Sequence, residues 1–151
     1  MTKHLLSAIA AIMLLCCGAS PSSPPATQPQ ATLRIEVTDL RALKGQLIFG
    51  VFKQADGFPT EPKKSVNWQI KPADAKTVIF ECQLPPGRYG ASVLHDENNN
   101  GKMDKNGLGI PKEGYGVTNN PKPKLRAATF EESLFDLPAD GASLKISVQY
   151  F

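Results

Sequence analysis

From residue 32 onward, apolar residues recur at every second position and nowhere in a capped stripe of helical period. Leu33, Ile35 and Val37 alternate with Arg34, Glu36 and Thr38. Val78, Phe80 and Cys82 share one face, with Thr77, Ile79 and Glu81 on the other, and Leu144, Ile146, Val148 and Tyr150 form the clearest run. A period of two puts one set in a core and the other in water, which is the pattern of a half-buried strand. Residues 47–52 are apolar on both sides, as in a central strand; residues 66–70 around Trp68, 89–93 and 130–137 complete a set of seven. Thirteen prolines and twelve glycines supply the turns between such short strands. The expected fold class is all-β: an antiparallel seven-stranded β-sandwich, with residues 96–128 as one long loop insertion. About 120 residues bury roughly two-thirds of the unfolded surface, so such a domain needs no disulfide.

The beginning of the chain reads differently. Lys3 precedes an apolar run from Leu5 to Leu15, interrupted only by Ser7 and followed by Cys16-Cys17-Gly18-Ala19. A positive start, a short apolar stretch and small residues describe a secretory signal. The run falls well short of the ~20 apolar residues a membrane-spanning helix needs. Leu14-Leu15-Cys16-Cys17 resembles a lipoprotein lipobox in which Cys17 would be acylated, although the residue before it is Cys16 rather than Gly, Ala or Ser. Cleavage after Cys16 and ordinary cleavage after Ala19 both stay open. Residues 18–31, rich in Pro and Ser, read as a disordered tether. The expected organisation is a lipoprotein-type signal over 1–17, the tether over 18–31 and a β-sandwich over 32–151. Resemblance to Gram-negative lipoproteins, with Gly18 rather than Asp after Cys17, implies an exported, periplasmic or outer-membrane protein held to the membrane by its lipid.

Charge and rare residues narrow the chemistry. Without Lys3, 16 basic residues face 14 acidic ones with no polybasic tract, which argues against a nucleic-acid partner. Beyond residue 20 stand one histidine, His95, and one cysteine, Cys82. That excludes a multi-histidine metal centre, a structural zinc site and an internal disulfide in the exported part. Cys82, on an apolar strand face, reads as an inert thiol.

The corner Leu84-Pro85-Pro86-Gly87-Arg88-Tyr89 resembles that of prealbumin-like sandwiches, an Ig-like architecture seen in carboxypeptidase regulatory modules and surface-adhesin repeats. The run from His95 to Asp104, the run from Gly109 to Gly116 and the last strand together resemble an uncharacterised family of exported bacterial proteins, catalogued as domain of unknown function 2141. The resemblance spans roughly residues 32–151 and implies a fold but no activity.

One segment carries chemistry. Asp96-x-Asn98-x-Asn100-Gly101-x-x-Asp104 matches the first nine positions of an EF-hand-type calcium loop. Calcium takes six to eight oxygens. Asp96, Asn98 and Asn100 would offer side-chain oxygens, Lys102 its backbone carbonyl, and Asp104 a further carboxylate, with Gly101 making the sharp turn. Position 12 is Gly107 instead of the usual bidentate glutamate, so another carboxylate, Glu113 or Glu97, must close the site. Dockerin- and thrombospondin-like loops use the short pattern outside EF-hands. With few carboxylates the affinity belongs in the ~10⁻⁴–10⁻³ M range of extracellular modules. The competing reading is an empty Asn/Asp/Gly turn.

Other candidates are thinner. His95 beside Asp96 invites a weak hydrolase or accessory role, with Ser92 or Thr118 as nucleophile, but no nucleophile elbow or third triad member is present. Glu131 and Glu132, adjacent on an expected strand, point to opposite faces and cannot share an acid–base task. Residues 109–124, with Lys112, Lys122, Lys124 and Tyr115, read either as a recognition loop for anionic glycans, peptidoglycan or lipid headgroups, or as a loop packed by Ile110, Tyr115 and Val117. A carrier with a ligand between the sheets would need an apolar excess that the composition lacks. The reading that follows is a non-enzymatic envelope module with a calcium-type loop and an unknown envelope ligand or protein as partner; a hydrolase at His95–Asp96 is the alternative.

Overall fold

A computed structural model describes residues 28–123 and 126–151. The signal segment, Cys17 and most of the expected tether lie outside these residues. Among these described residues eight strands form two sheets: β1 (Ala31–Thr38), β2 (Gln46–Phe52), β3 (Asn67–Pro72), β4 (Val78–Leu84), β5 (Gly87–Asp96), β6 (Gly114–Val117), β7 (Leu134–Leu137) and β8 (Ala142–Ser147). One sheet has the order β4-β1-β8; the other runs β3-β2-β5-β6, with β7 also paired to β5. The molecule is an all-β sandwich, as the alternation demands. Among the described residues no helix is long and apolar enough to cross a membrane.

The inner faces are the ones the sequence marks. Leu33, Ile35, Val37, Phe49, Val51, Phe80, Ala91, Val93 and Ile146 are buried between the sheets. Phe49 of β2 stacks on Phe80 of β4, ring centroids 4.7 Å apart, so one aromatic pair bridges the two layers. Cys82 is buried beside them as a free thiol, and desolvation pushes its pKa up to about 11. At the Pro-Pro-Gly corner, the Tyr89 hydroxyl donates to the Pro85 carbonyl at 2.8 Å, while its ring returns to the core.

Three details depart from the sequence expectation. First, there are eight strands rather than seven, because β6 lies inside the stretch expected to be loop. Its Gly-Tyr-Gly-Val sequence hides the period: Gly114 and Gly116 face inward, and side chains of β8 and its continuation fill the room. A Cβ on Gly114 would lie 2.3 Å from the Tyr150 ring, and one on Gly116 2.5 Å from Ile146. Tyr115 and Gln149 exchange backbone hydrogen bonds of 3.0 and 2.8 Å, joining the two sheets at this corner.

Second, not every pairing is antiparallel. β1 and β8 run parallel, with Ile35 opposite Leu144 and Val37 opposite Ile146. Period-two patterns are the same for either direction, so the sequence cannot distinguish them.

Third, residues 130–137 are not one strand. Glu131–Ser133 forms a single 3₁₀ turn before β7. Thr129 and Glu132 bond each other's backbone N–H groups reciprocally, at 3.3 and 2.9 Å, in the manner of a capping box. The Thr-x-x-Glu spacing was the signal for this turn. The Glu131–Glu132 pair therefore does not straddle a strand; Glu132 makes a two-bond pair with Arg126 instead.

Because inward space opposite β6 is already occupied, Gly116→Ala is expected to lower stability by ~1–3 kcal/mol through overpacking. Thermal unfolding should register this as a drop of several degrees. An unchanged melting temperature would mean that β8 does not press on β6 as described.

Candidate functional site

Alternation along β5 decides the fate of its last two residues. His95 pairs with Leu47 and Gly114 on the inner face; Asp96 pairs with Gln46 on the outer face, where the following loop folds back over it. Asp96 is 0 % exposed. Its Oδ2 accepts hydrogen bonds from the Gln46 amide at 2.7 Å and the Gly101 N–H at 2.8 Å, and its Oδ1 from the Asn100 N–H at 3.1 Å. Burial by itself raises the pKa of this carboxyl, but the Gln46 amide and the N–H groups of Gly101 and Asn100 outweigh it and hold the group below the ordinary aspartate value. Gly101, at φ +80°, makes the turn that aims its N–H at Asp96.

The remaining loop residues gather around Asp104. The Asn98 and Asn100 side-chain amides donate to Asp104 Oδ2 at 2.6 and 3.0 Å. Their amide oxygens accept the Asn100 and Lys102 N–H groups, both in Asx turns. Lys102 points its side chain into solvent.

Of the two glutamates that could close the loop, Glu113 reaches it. Glu113 is 4 % exposed and accepts the Glu97 N–H at 3.0 Å and the Asp104 N–H at 3.1 Å, one on each oxygen. Glu97 is paired instead with Arg41 at 2.5 Å and Lys44 at 3.1 Å. A cavity of about 340 Å³ opens between these cations and Asn98, Asp104 and Glu113. Among the described residues no three His, Cys, Asp or Glu side chains group closely enough to hold a metal ion by themselves. A cation here would rely on Asn98, Asn100 and backbone oxygens beside Asp96 and Asp104, with the two amides turned to present oxygen.

Nothing in the sequence singles out Arg41. It lies between β1 and β2, yet it binds Glu97, donates to the Lys112 carbonyl at 2.7 Å, and sits 4.6 Å from the centroid of the Tyr150 ring. One guanidinium thus ties both ends of the 97–112 segment to Tyr150, just beyond β8. A lone arginine in a loop carries no periodic signal. Glu113 was visible only as one of two alternatives.

The side chains considered as nucleophile and base are all hydrogen-bonded within the fold. His95 is 0 % exposed. Its Nε2 lies 2.9 Å from the Lys44 carbonyl, which can only accept, so the proton sits there; Nδ1 then accepts from the Tyr150 hydroxyl at 2.6 Å. The Ser92 hydroxyl donates to the Pro59 carbonyl at 2.9 Å, and buried Thr118 donates to the Ser133 carbonyl at 2.5 Å. In residues 109–123, Val117 is buried and Tyr115 half-buried, whereas Ile110 is exposed. Lys124 falls outside the described residues.

A family model described as "Uncharacterized protein conserved in bacteria (DUF2141)" matches residues 35–145. Neither the curated proteins nor the solved structures contain a match.

The lowered Asp96 carboxyl carries a pH signature. A folded pKa below the unfolded value of ~3.9 means the unfolded state binds protons more readily. The contribution to stability is therefore complete above about pH 4 and is lost as pH falls through the folded pKa. Glu97 shifts in the same direction, with burial opposed by Arg41 and Lys44. Melting temperatures measured against pH should hold steady near neutrality and fall below about pH 4. Asp96→Asn should cost ~1–3 kcal/mol at pH 7 and flatten that acid limb. A variant with an unaltered acid limb would remove Asp96 from this role.

Proposed function

We propose that this chain, which belongs to the uncharacterised bacterial family DUF2141, is a non-enzymatic β-sandwich module of the cell envelope whose 96–113 loop takes up calcium. The observation that carries the reading is a pair of buried carboxylates, Asp96 and Glu113, that make no ion pair among the described residues. Buried charges are ordinarily paired or bound to metal, and here the hydrogen-bond partners of both carboxylates are N–H groups, with Arg41 and Lys44 held by Glu97 across the cavity. Asp104 adds a third negative charge on the same loop. A hard divalent cation offsets that charge and suits the oxygens present. Glu113 is the closing carboxylate in this reading, because Glu97 is committed to Arg41 and Lys44.

The loop is already hydrogen-bonded without metal, so calcium adds stability rather than creating the fold. The strands bury their own apolar faces, unlike a zinc finger that collapses in chelator. At tenfold excess over the dissociation constant, mass action contributes about 1.4 kcal/mol.

The Ig-like, prealbumin-like reading of the sandwich rests on the resemblance of its Pro-Pro-Gly-x-Tyr corner. Export and lipid attachment at Cys17 rest on the sequence of residues 1–31. In that arrangement the tether holds the module off the membrane while its loop faces solvent.

Two measurements test the reading. Calorimetry of the purified protein in millimolar calcium and in chelator should show a melting shift of a few degrees. Glu113→Gln should abolish it, while Glu97→Gln should leave it. Equal melting temperatures in calcium and chelator would return the loop to an ordinary polar turn. For the anchor, Cys17→Ala should move the protein from the detergent phase to the aqueous phase. Membrane retention that survives this change, or that depends on Cys16 alone, would refute the lipid attachment.

A further inference from the structure

The outer face of the five-stranded sheet is covered over only part of its area. Near the start of β5, Phe52, Phe58 and Phe130 seal it with edge-on ring contacts at 5.3 and 5.5 Å. Toward the end of β5, Ile48, Leu94 and Tyr115 are the floor of an open groove of about 750 Å³. Cross-strand pairing puts these three on one face, opposite the core-facing Phe49 and Val93. Pro59, Pro62, Met103 and Ile110 also line it. The volume lies within the ~300–1,000 Å³ of small-molecule sites.

Its charge is one-sided. Among the described residues the lining includes Lys102, Lys105 and Arg126 and no acidic residue. Arg126 is occupied by Glu132 at 2.7 Å. Lys102 and Lys105, both exposed on the same loop, make no ion pair among the described residues. That loop also holds Leu108 at 86 % exposure and the exposed Ile110 out in water, next to the apolar floor. An apolar trough with two ammonium groups from one lining loop, unpaired among the described residues, matches a molecule that is apolar along its length and negative at one end.

We infer that this groove binds a single-chain anionic amphiphile, with its hydrocarbon on Ile48, Leu94 and Tyr115 and its head against Lys102 and Lys105. Chain burial on the floor removes apolar surface from water, and the lysines select a charged head over a neutral one. The site lies outside the sandwich; the space between the sheets is filled by the core. It does not depend on metal at the neighbouring loop.

Titration calorimetry on the purified full chain, in chelator, with dodecanoate and dodecyl phosphate below their micelle concentrations tests this. One-to-one saturable binding is expected, with 1-dodecanol at least about tenfold weaker and acetate silent. Tighter binding of dodecanoate identifies a fatty-acid head, and tighter binding of dodecyl phosphate identifies a phosphate-headed lipid. The double variant Lys102→Glu/Lys105→Glu changes two exposed side chains, so its melting temperature serves as the folding control. It should weaken the anionic ligands at least about tenfold and leave 1-dodecanol unchanged. Ile110→Asp should weaken all three. Absence of saturable binding by both anions, equal affinity for 1-dodecanol, or affinity indifferent to the lysine reversal would each overturn the inference.

Discussion

The backbone hydrogen bonds of β5 fix three other strands at once. β2 runs along one edge for seven paired residues, while β7 and then β6 share the other edge. Because a strand's side chains alternate between faces, the same ten residues supply both a core and a surface. Tyr89, Ala91, Val93 and His95 go inward; Ser92, Leu94 and Asp96 go outward. The groove floor, the buried aspartate and the sealed histidine are therefore consequences of one register. A slip of one residue would exchange them all.

At the end of that strand, two kinds of negative charge are handled in two ways. Glu97 is met by Arg41 and Lys44 at the rim, where water screens the pairs and each contributes little. Asp96 and Glu113 lie deeper and are met by backbone N–H groups. Such bonds to a charged acceptor are worth more than neutral ones and rigidify the loop, since each N–H must hold its place. They do not cancel the charge. This residual negative potential, beneath the side chains of Asn98, Asn100 and Asp104, is what the proposed cation would offset.

His95 shows how strongly position overrides residue type. In sequence it stands beside an aspartate at a strand end, an arrangement that invites catalysis. In the fold the inner face claims it, and Tyr150 and the Lys44 carbonyl take both ring nitrogens. Its neighbour Leu94, one residue earlier, opens onto solvent-accessible space instead.

Alternation alone was enough to determine the sandwich, the inner faces of β1, β4 and β5, and the burial of Cys82, because strand periodicity is a local property. The spacing of Asp96, Asn98, Asn100, Gly101 and Asp104 likewise determined a loop that closes on itself, since each contact spans a few residues. Only the tertiary structure decided the rest. β6 exists because Val148, Tyr150 and Ile146 supply the inward bulk that Gly114 and Gly116 omit, a complementarity across about 30 positions. Arg41 reaches Glu97 and Tyr150, and Glu113 rather than Glu97 reaches the loop, through contacts set by how the sheets meet. The parallel direction of β8 and the groove over Ile48 and Leu94 belong to the same class. Local patterns record which face a residue takes, but not which distant residue it will find there.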